Sequence, residues 1–143
     1  MLAGQLALIA AALFAGAAAY VGFVEQPARL GLDDRSLLAE WKPAYARGTL
    51  MQAPLAIVGF LLGLLAWWQT DGWLWIAGAV VLVANWPYTF AVIMPTNHAL
   101  EAIGPDEAGP RSRALVERWG ALHAGRTALG VISTLLFLWA SVG

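Results

Sequence analysis

Two ionisable side chains, His123 and Arg126, lie inside the last apolar segment of the chain, together with Trp119. On a helix these three residues fall within about 60° of one another, so they face one direction. An unpartnered guanidinium in hydrocarbon costs at least about 2.5 kcal/mol, so Arg126 should point into a bundle interior or a polar cavity. His123 can act as a general base and Arg126 can stabilise an oxyanion. Both residues are therefore candidates for catalysis.

Glu25 and Asn97 extend this catalytic set. Glu25 ends an uninterrupted apolar segment and precedes Pro27, where the hydrogen bonding of a helix is expected to end. We expect Glu25 to be the counter-charge of Arg126; a water-solvated interfacial carboxylate is the alternative. Asn97 leaves the third apolar segment on the same membrane side and can act with Arg126 on an oxyanion.

Further residues are expected to bind an apolar, aromatic substrate. Aromatic side chains can clamp a flat ring by offset or edge contacts. Pro87 predicts a bend in the third segment, whose freed carbonyls nearby polar groups can satisfy. Asn85 can hydrogen-bond to such a carbonyl instead of lining a cavity. Arg47 can extend its charged end toward the membrane interface instead of binding a substrate. The predicted substrate-binding residues are Trp86, Tyr88, Trp119, Asn85 and Arg47.

A metal or haem site is an alternative use of the same residues. Glu25, His98 and His123 supply the ligand types of a histidine-plus-carboxylate iron site. His123 can instead ligate haem, although the sequence offers no second axial ligand or attachment motif. No metal set is favoured, and base-assisted chemistry requires neither cofactor.

The elements that must position these residues are membrane-spanning helices. The chain is 60% hydrophobic and 12% charged, with a mean hydropathy of +0.67, whereas soluble domains are about 25% charged. Four apolar segments approach the ~20 residues that cross a bilayer; they cover residues 2–24, 45–68, 73–94 and 115–139. The sequence predicts an all-α integral membrane four-helix bundle, a single transmembrane domain over residues 1–143.

Small residues recur at helical spacing in the first two segments. Ala12 and Gly16 lie four residues apart, as do Gly59 and Gly63. Such pairs allow close approach of helices, either within the bundle or in a homodimer.

The distribution of basic residues predicts the orientation. Lys and Arg are concentrated at the first and third connections and are absent from the second. By the positive-inside rule, both termini face outward and the polar cluster lies on the cytoplasmic side of the lipid bilayer. The net charge of −1 argues against nucleic acid as a partner.

Four stretches of the sequence resemble a known family. MPTNHAL at 94–100 and WGALHAGRT at 119–127 are similar to the signature of the anthrone oxygenase family, while EQPARL at 25–30 and WKP at 41–43 resemble its bacterial branch. The resemblance covers essentially the whole chain. It implies a bacterial inner-membrane protein and, as a reaction class, the oxidation of anthrones to anthraquinones with molecular oxygen.

One position departs from the family pattern, which commonly has asparagine where this chain has His123. A histidine adds a proton acceptor or a metal ligand. The leading hypothesis is a membrane oxygenase-like enzyme that oxidises a flat apolar phenol, anthrone or quinol with molecular oxygen through base-assisted anion formation. The alternatives are a haem- or metal-binding protein for electron transfer or sensing, and a non-catalytic transport or accessory bundle.

Overall fold

The computed structural model describes all residues from 1 to 143 and contains helices and no strands. A short 3₁₀ turn, Pro105–Glu107, precedes the last helix. Four helices are each long and apolar enough to cross a membrane: α1 (Leu2–Leu30), α2 (Asp34–Thr70), α3 (Trp73–Glu101) and α4 (Pro110–Val142). The predicted all-helical four-helix membrane bundle is thereby confirmed.

The helices extend well beyond the apolar segments. Helix α2 begins at Asp34 because Asp33 caps it: the Asp33 carboxylate accepts hydrogen bonds from the Ser36 amide at 2.9 Å and the Ser36 hydroxyl at 2.8 Å. These hydrogen bonds hold the pKa of Asp33 below its usual value. Helical structure therefore continues into polar sequence wherever a cap or tertiary contact supports it.

The helices close into a bundle in chain order. Each packs against its neighbours in sequence, and α1 packs against α4. Because the connections are short, consecutive helices run antiparallel. The end of α1, the start of α2, the end of α3 and the start of α4 therefore meet in one half of the molecule.

The opposite half is packed through glycines. A Cβ atom at Gly78 would lie 2.6 Å from the Phe137 ring, and one at Gly63 would lie 2.8 Å from it. Ser133 also donates a hydrogen bond to the Gly78 carbonyl at 2.8 Å. The Phe137 ring fits into the bundle because these two positions carry no side chain.

The two small-residue pairs differ in their use. Gly59 and Gly63 are buried between helices, as expected for packing within the bundle. Ala12 and Gly16 are exposed, and nothing lies within 4 Å of a Cβ built at Gly16. A homodimer stays a prediction.

Two π-helical turns interrupt the α-helices. Each turn is followed by a single residue and then by a proline. They cover Val21–Glu25 in α1 and Thr89–Ile93 in α3. The Gln26 amide bonds to the Val21 carbonyl, and the Met94 amide bonds to the Thr89 carbonyl. The expectation that the first helix ends before Pro27 is wrong, because the wider turn lets the chain continue helically to Leu30.

Helix α3 has a further irregularity near Pro87, where the sequence predicts a bend. Regular α-helix stops at Val83, Ala84 forms a turn, and helix resumes at Asn85. Pro87 has no N–H to donate to the Val83 carbonyl, which accounts for the weak point.

Candidate active site

All four helices contribute to a small polar cavity in the half of the bundle where the first and third connections lie. Its volume is about 30 Å³, room for one or two water molecules. The lining includes five residues singled out from the sequence: Glu25, Asn97, Trp119, His123 and Arg126. It also includes Tyr45, which the sequence did not single out.

A second, more apolar cavity of about 110 Å³ adjoins the first. Both cavities are lined by Tyr45, Thr49, Thr89 and Arg126. An engineered cavity of about 150 Å³ binds benzene, so the second cavity is on the scale of one aromatic ring.

The second cavity opens on the lipid-facing surface between α2 and α3. Trp86 is 37% exposed and Phe90 is 59% exposed, and both line it. The Trp86 indole N–H donates to the Ala53 carbonyl at 3.2 Å, which links α3 to α2 at this opening. Trp86, one of the predicted substrate-binding residues, therefore lines the opening of this cavity.

Arg126 stands between the two cavities without a counter-ion. Its Nη1 donates to the Thr89 hydroxyl at 2.8 Å and its Nη2 to Gln52 Oε1 at 3.1 Å. The guanidinium lies 5.4 Å from the centre of the Phe14 ring, and its buried Nε has no hydrogen-bond partner. Every protein contact of this cation is with a neutral group.

The expected direct ion pair between Glu25 and Arg126 is not formed. Glu25 pairs instead with Arg29, whose Nε is 2.8 Å from Glu40 Oε2. Since the helix continues through Pro27, Glu25 and Arg29 lie one turn apart on one face. Glu40 was not among the predicted site residues, because it lies outside the four predicted spans.

His123 is buried and held in one tautomer. Its Nε2 lies 3.1 Å from the Ala18 carbonyl oxygen, which can only accept, so Nε2 carries the proton. Nδ1 is then the proton acceptor of the ring. The imidazole stacks on Trp119, with ring centres 4.9 Å apart.

The aromatic stack continues from α4 to α2. The Trp119 ring meets the edge of Trp41 at 5.9 Å, and Trp41 stacks on Tyr45 at 4.9 Å. Trp41 and Tyr45 are four residues apart, as are Trp119 and His123. The repeated aromatic spacing was the available signal for Trp41 and Tyr45.

Asn97 is fully buried beside this stack. Its Nδ2 has only the Met94 sulfur as a partner, at 3.8 Å, and its Oδ1 has no partner. Its amide therefore remains available to a ligand in the cavity.

Three other predicted binding residues have different surroundings. Asn85 lines the second cavity, but its Nδ2 donates to the Leu82 carbonyl at 3.0 Å, as in the alternative use expected for it. Tyr88 lines neither cavity, because its hydroxyl donates to the Leu122 carbonyl at 2.6 Å. Arg47 is exposed on an open groove between α1 and α2.

The alternative metal set is not assembled. His98 is exposed and lines neither cavity. No group of three His, Cys, Asp or Glu side chains is placed to hold a metal ion. Glu25, His98 and His123 are therefore not brought together as ligands.

Comparison with known proteins identifies the family. The family model described as anthrone oxygenase matches residues 41–136. The chain is also 30% identical over 124 residues to anthrone oxygenase ptaC of Pestalotiopsis fici, covering 76% of this chain and 86% of that protein. No solved structure matches. The family match spans α2 to α4 and includes Asn97, Trp119, His123 and Arg126, so the chain belongs to the anthrone oxygenase family.

Proposed function

We propose that this protein oxidises a flat, apolar anthrone, phenol or quinol with molecular oxygen inside the membrane. The observation that carries the proposal is Arg126, a cation with only neutral protein partners at the junction of two cavities. A cation in this setting favours a ligand that becomes anionic during the reaction. The relative named an anthrone oxygenase supports anthrones as the substrate class.

In the proposed reaction His123 is the general base. Its Nδ1 accepts a proton from the activated C–H of an anthrone or from a phenolic hydroxyl. The anion that remains carries its charge on an oxygen atom held by Arg126, with Asn97 Nδ2 as a second donor.

The electron-rich carbon of the anion then reacts with oxygen. Two electrons pass from carbon to O₂ as a C–O bond forms, and the proton held by His123 converts the peroxide anion to a hydroperoxide. The carbon then loses its second C–H proton as the O–O bond breaks, which forms the new carbonyl and releases hydroxide. The released C–H proton converts this hydroxide to water. In total a CH₂ group and O₂ become C=O and H₂O, and this scheme requires no metal or haem.

The second cavity supports entry of the substrate from lipid. Its volume is on the scale of one aromatic ring, so a fused-ring substrate would extend past Trp86 and Phe90 into the hydrocarbon. Such a substrate already partitions into the bilayer. We place the site toward the cytoplasmic side of a bacterial inner membrane, on the basis of the basic residues around it.

The test is oxygen uptake and anthraquinone formation from anthrone by the full chain in lipid nanodiscs, measured above the enzyme-free rate. We expect acceleration by the wild type, a loss of at least about 100-fold for Arg126→Met, and partial activity for Arg126→Lys. Arg111→Met is the matched control, because Arg111 is exposed at the start of α4. No acceleration by the wild type, or full activity of Arg126→Met, would refute the proposal and favour a non-catalytic bundle.

A further inference from the structure

Two hydrogen-bond donors in the site share one poor acceptor. The Tyr45 hydroxyl lies 3.9 Å from the Met94 sulfur and Asn97 Nδ2 lies 3.8 Å from the same atom. A thioether sulfur is a weak acceptor compared with an oxygen atom. Both donors would gain a stronger hydrogen bond if ligand oxygen atoms replaced the sulfur, a hydroxyl oxygen at Tyr45 and the oxyanion at Asn97 Nδ2.

The acceptor side of Asn97 is also unused. Asn97 is fully buried, yet its Oδ1 has no hydrogen-bond partner. Most buried polar side chains have at least one partner, and an unmet buried acceptor is costly. The amide therefore favours a ligand group that can donate a hydrogen bond.

These three residues stand where the two cavities meet. Tyr45 lines both cavities, Asn97 lines the polar one and Met94 lines the apolar one. Methionine is unbranched and flexible, so its sulfur can withdraw without rearrangement of the helix. Tyr45 itself is fixed by stacking on Trp41.

We infer that Tyr45 and Asn97 form a binding site for a hydroxyl group of the ligand, whose oxygen takes the place of the Met94 sulfur. The hydroxyl accepts a hydrogen bond from Tyr45 and donates one to Asn97 Oδ1, while Asn97 Nδ2 faces the oxyanion at Arg126. This inference rests on the proposed function and narrows its substrate to a ring system with two oxygen substituents. Tyr45 is then a specificity-determining residue.

The experiment measures binding of oxidised, unreactive ligands to the full chain in nanodiscs, under argon and on the acid side of neutrality. The probes are 1-hydroxyanthraquinone and 2-hydroxyanthraquinone, compared with 2-methylanthraquinone, in which a methyl group replaces the hydroxyl. We expect the wild type to bind at least one hydroxy isomer about 3- to 10-fold more tightly than the methyl compound, the strength of one or two hydrogen bonds. Tyr45→Phe and Asn97→Leu should each reduce this preference.

Two controls separate the hydroxyl site from general effects on the pocket. Met94→Leu removes the sulfur but neither hydrogen-bonding residue, so the preference should persist. Tyr20→Phe removes a hydroxyl from a residue that is 58% exposed and should change nothing. Tyr45→Phe alters one hydroxyl only, so it remains decisive even if Asn97→Leu does not fold.

The inference is overturned if the wild type has no preference for either hydroxy isomer, or if the preference survives Tyr45→Phe. The first result would mean that water, rather than a ligand hydroxyl, satisfies these groups. The binding measurement involves no turnover, so it is independent of the activity test. A protein that prefers the hydroxy compounds but has no oxygenase activity would refute the proposed function and would still support the hydroxyl-binding site.

Discussion

Two arginines in the same half of the bundle have opposite electrostatic surroundings. Arg29, whose side chain is 2% exposed, lies between the carboxylates of Glu25 and Glu40. Arg126 has a hydroxyl, an amide oxygen and an aromatic ring as its neighbours. Arg29 therefore has the contacts of a structural ion pair, whereas Arg126 has those of a ligand-binding cation.

This contrast predicts different stabilities for two matched variants. Arg29→Met leaves two partly exposed carboxylates without their cation, so it should lower the free energy of unfolding by about 1–3 kcal/mol, less than for a fully buried pair. Arg126→Met removes a cation that has no direct counter-ion and should leave the free energy of unfolding unchanged or raised. Denaturant unfolding in detergent micelles measures both. Equal destabilisation by the two substitutions would contradict the assignment.

His123→Asn tests the base. Asparagine is the residue expected at this position in the family and can hydrogen-bond, but it cannot accept a proton near neutral pH. We expect the variant to fold and to lose the rise in oxygen uptake that the wild type shows as the base becomes neutral. The pH–rate profile with anthrone should cover the widest pH range in which both proteins stay folded. Wild-type uptake by the variant across this range would assign His123 to packing.

The pairing of Glu25 shows why the partner of a charged side chain was harder to predict than the end of the bundle at which that side chain lies. Sequence placed Glu25, Asn97, Trp119, His123 and Arg126 at one end of the bundle, and all five line the same cavity. The expectation of a direct ion pair with Arg126 was wrong because Pro27 was taken as a helix end, whereas a pairing bridged by one water molecule stays a prediction. With the helix continuing, the residue one turn later is the nearer cation.

At the scale of elements, proline does not end α1 or α3 but is accommodated by a π turn. Both turns contribute to the polar cavity, Val21 and Glu25 from α1 and Thr89 and Ile93 from α3. A π turn inserts one extra residue and changes which side chains face inward, and such turns are frequent at functional sites. Hydrophobic periodicity cannot locate them, so the inward-facing set was only partly predictable.

The glycine-packed half of the bundle predicts a sharp steric effect. Gly78→Ala places a Cβ against the Phe137 ring, and the resulting overpacking should cost about 1–3 kcal/mol of unfolding free energy. Phe137→Leu in the same chain should recover part of that loss by making space.

Gly16→Ala is the matched control, since no neighbour lies within 4 Å of its Cβ position. Unfolding of all four proteins by denaturant in micelles provides the comparison. If Gly78→Ala were as stable as Gly16→Ala, the close packing of Phe137 on α3 would be disproved.

At the scale of the molecule, the architecture was largely predictable because membrane insertion depends on linear properties of the sequence. Four long apolar segments require four helices, and short connections require them to alternate in direction. The rotation of each helix about its axis is not encoded in this way, since it depends on packing. This is why Tyr88 lies against the Leu122 carbonyl rather than in a cavity.

The charge distribution predicts the orientation of the whole bundle. Seven of the eight Lys and Arg residues lie at or near the first and third connections, and none lies at the second. We expect that end to be cytoplasmic, with both termini and Asp71 outside. Because the native chain has no cysteine, Asp71→Cys provides a single labelling site. Labelling by an impermeant thiol reagent applied outside intact cells supports this orientation, whereas labelling only after permeabilisation would reverse it.

The most direct test of the central claim follows the oxygen atoms. Purified wild-type protein in nanodiscs is supplied with anthrone and ¹⁸O₂ in ordinary water, and the initial rate of labelled anthraquinone formation is measured by mass spectrometry beside enzyme-free and Arg126→Met samples. The proposed mechanism predicts that the enzyme-dependent product carries one ¹⁸O atom at the newly formed carbonyl and that Arg126→Met returns the rate to the enzyme-free level. An enzyme-dependent product whose new oxygen comes from water would contradict it.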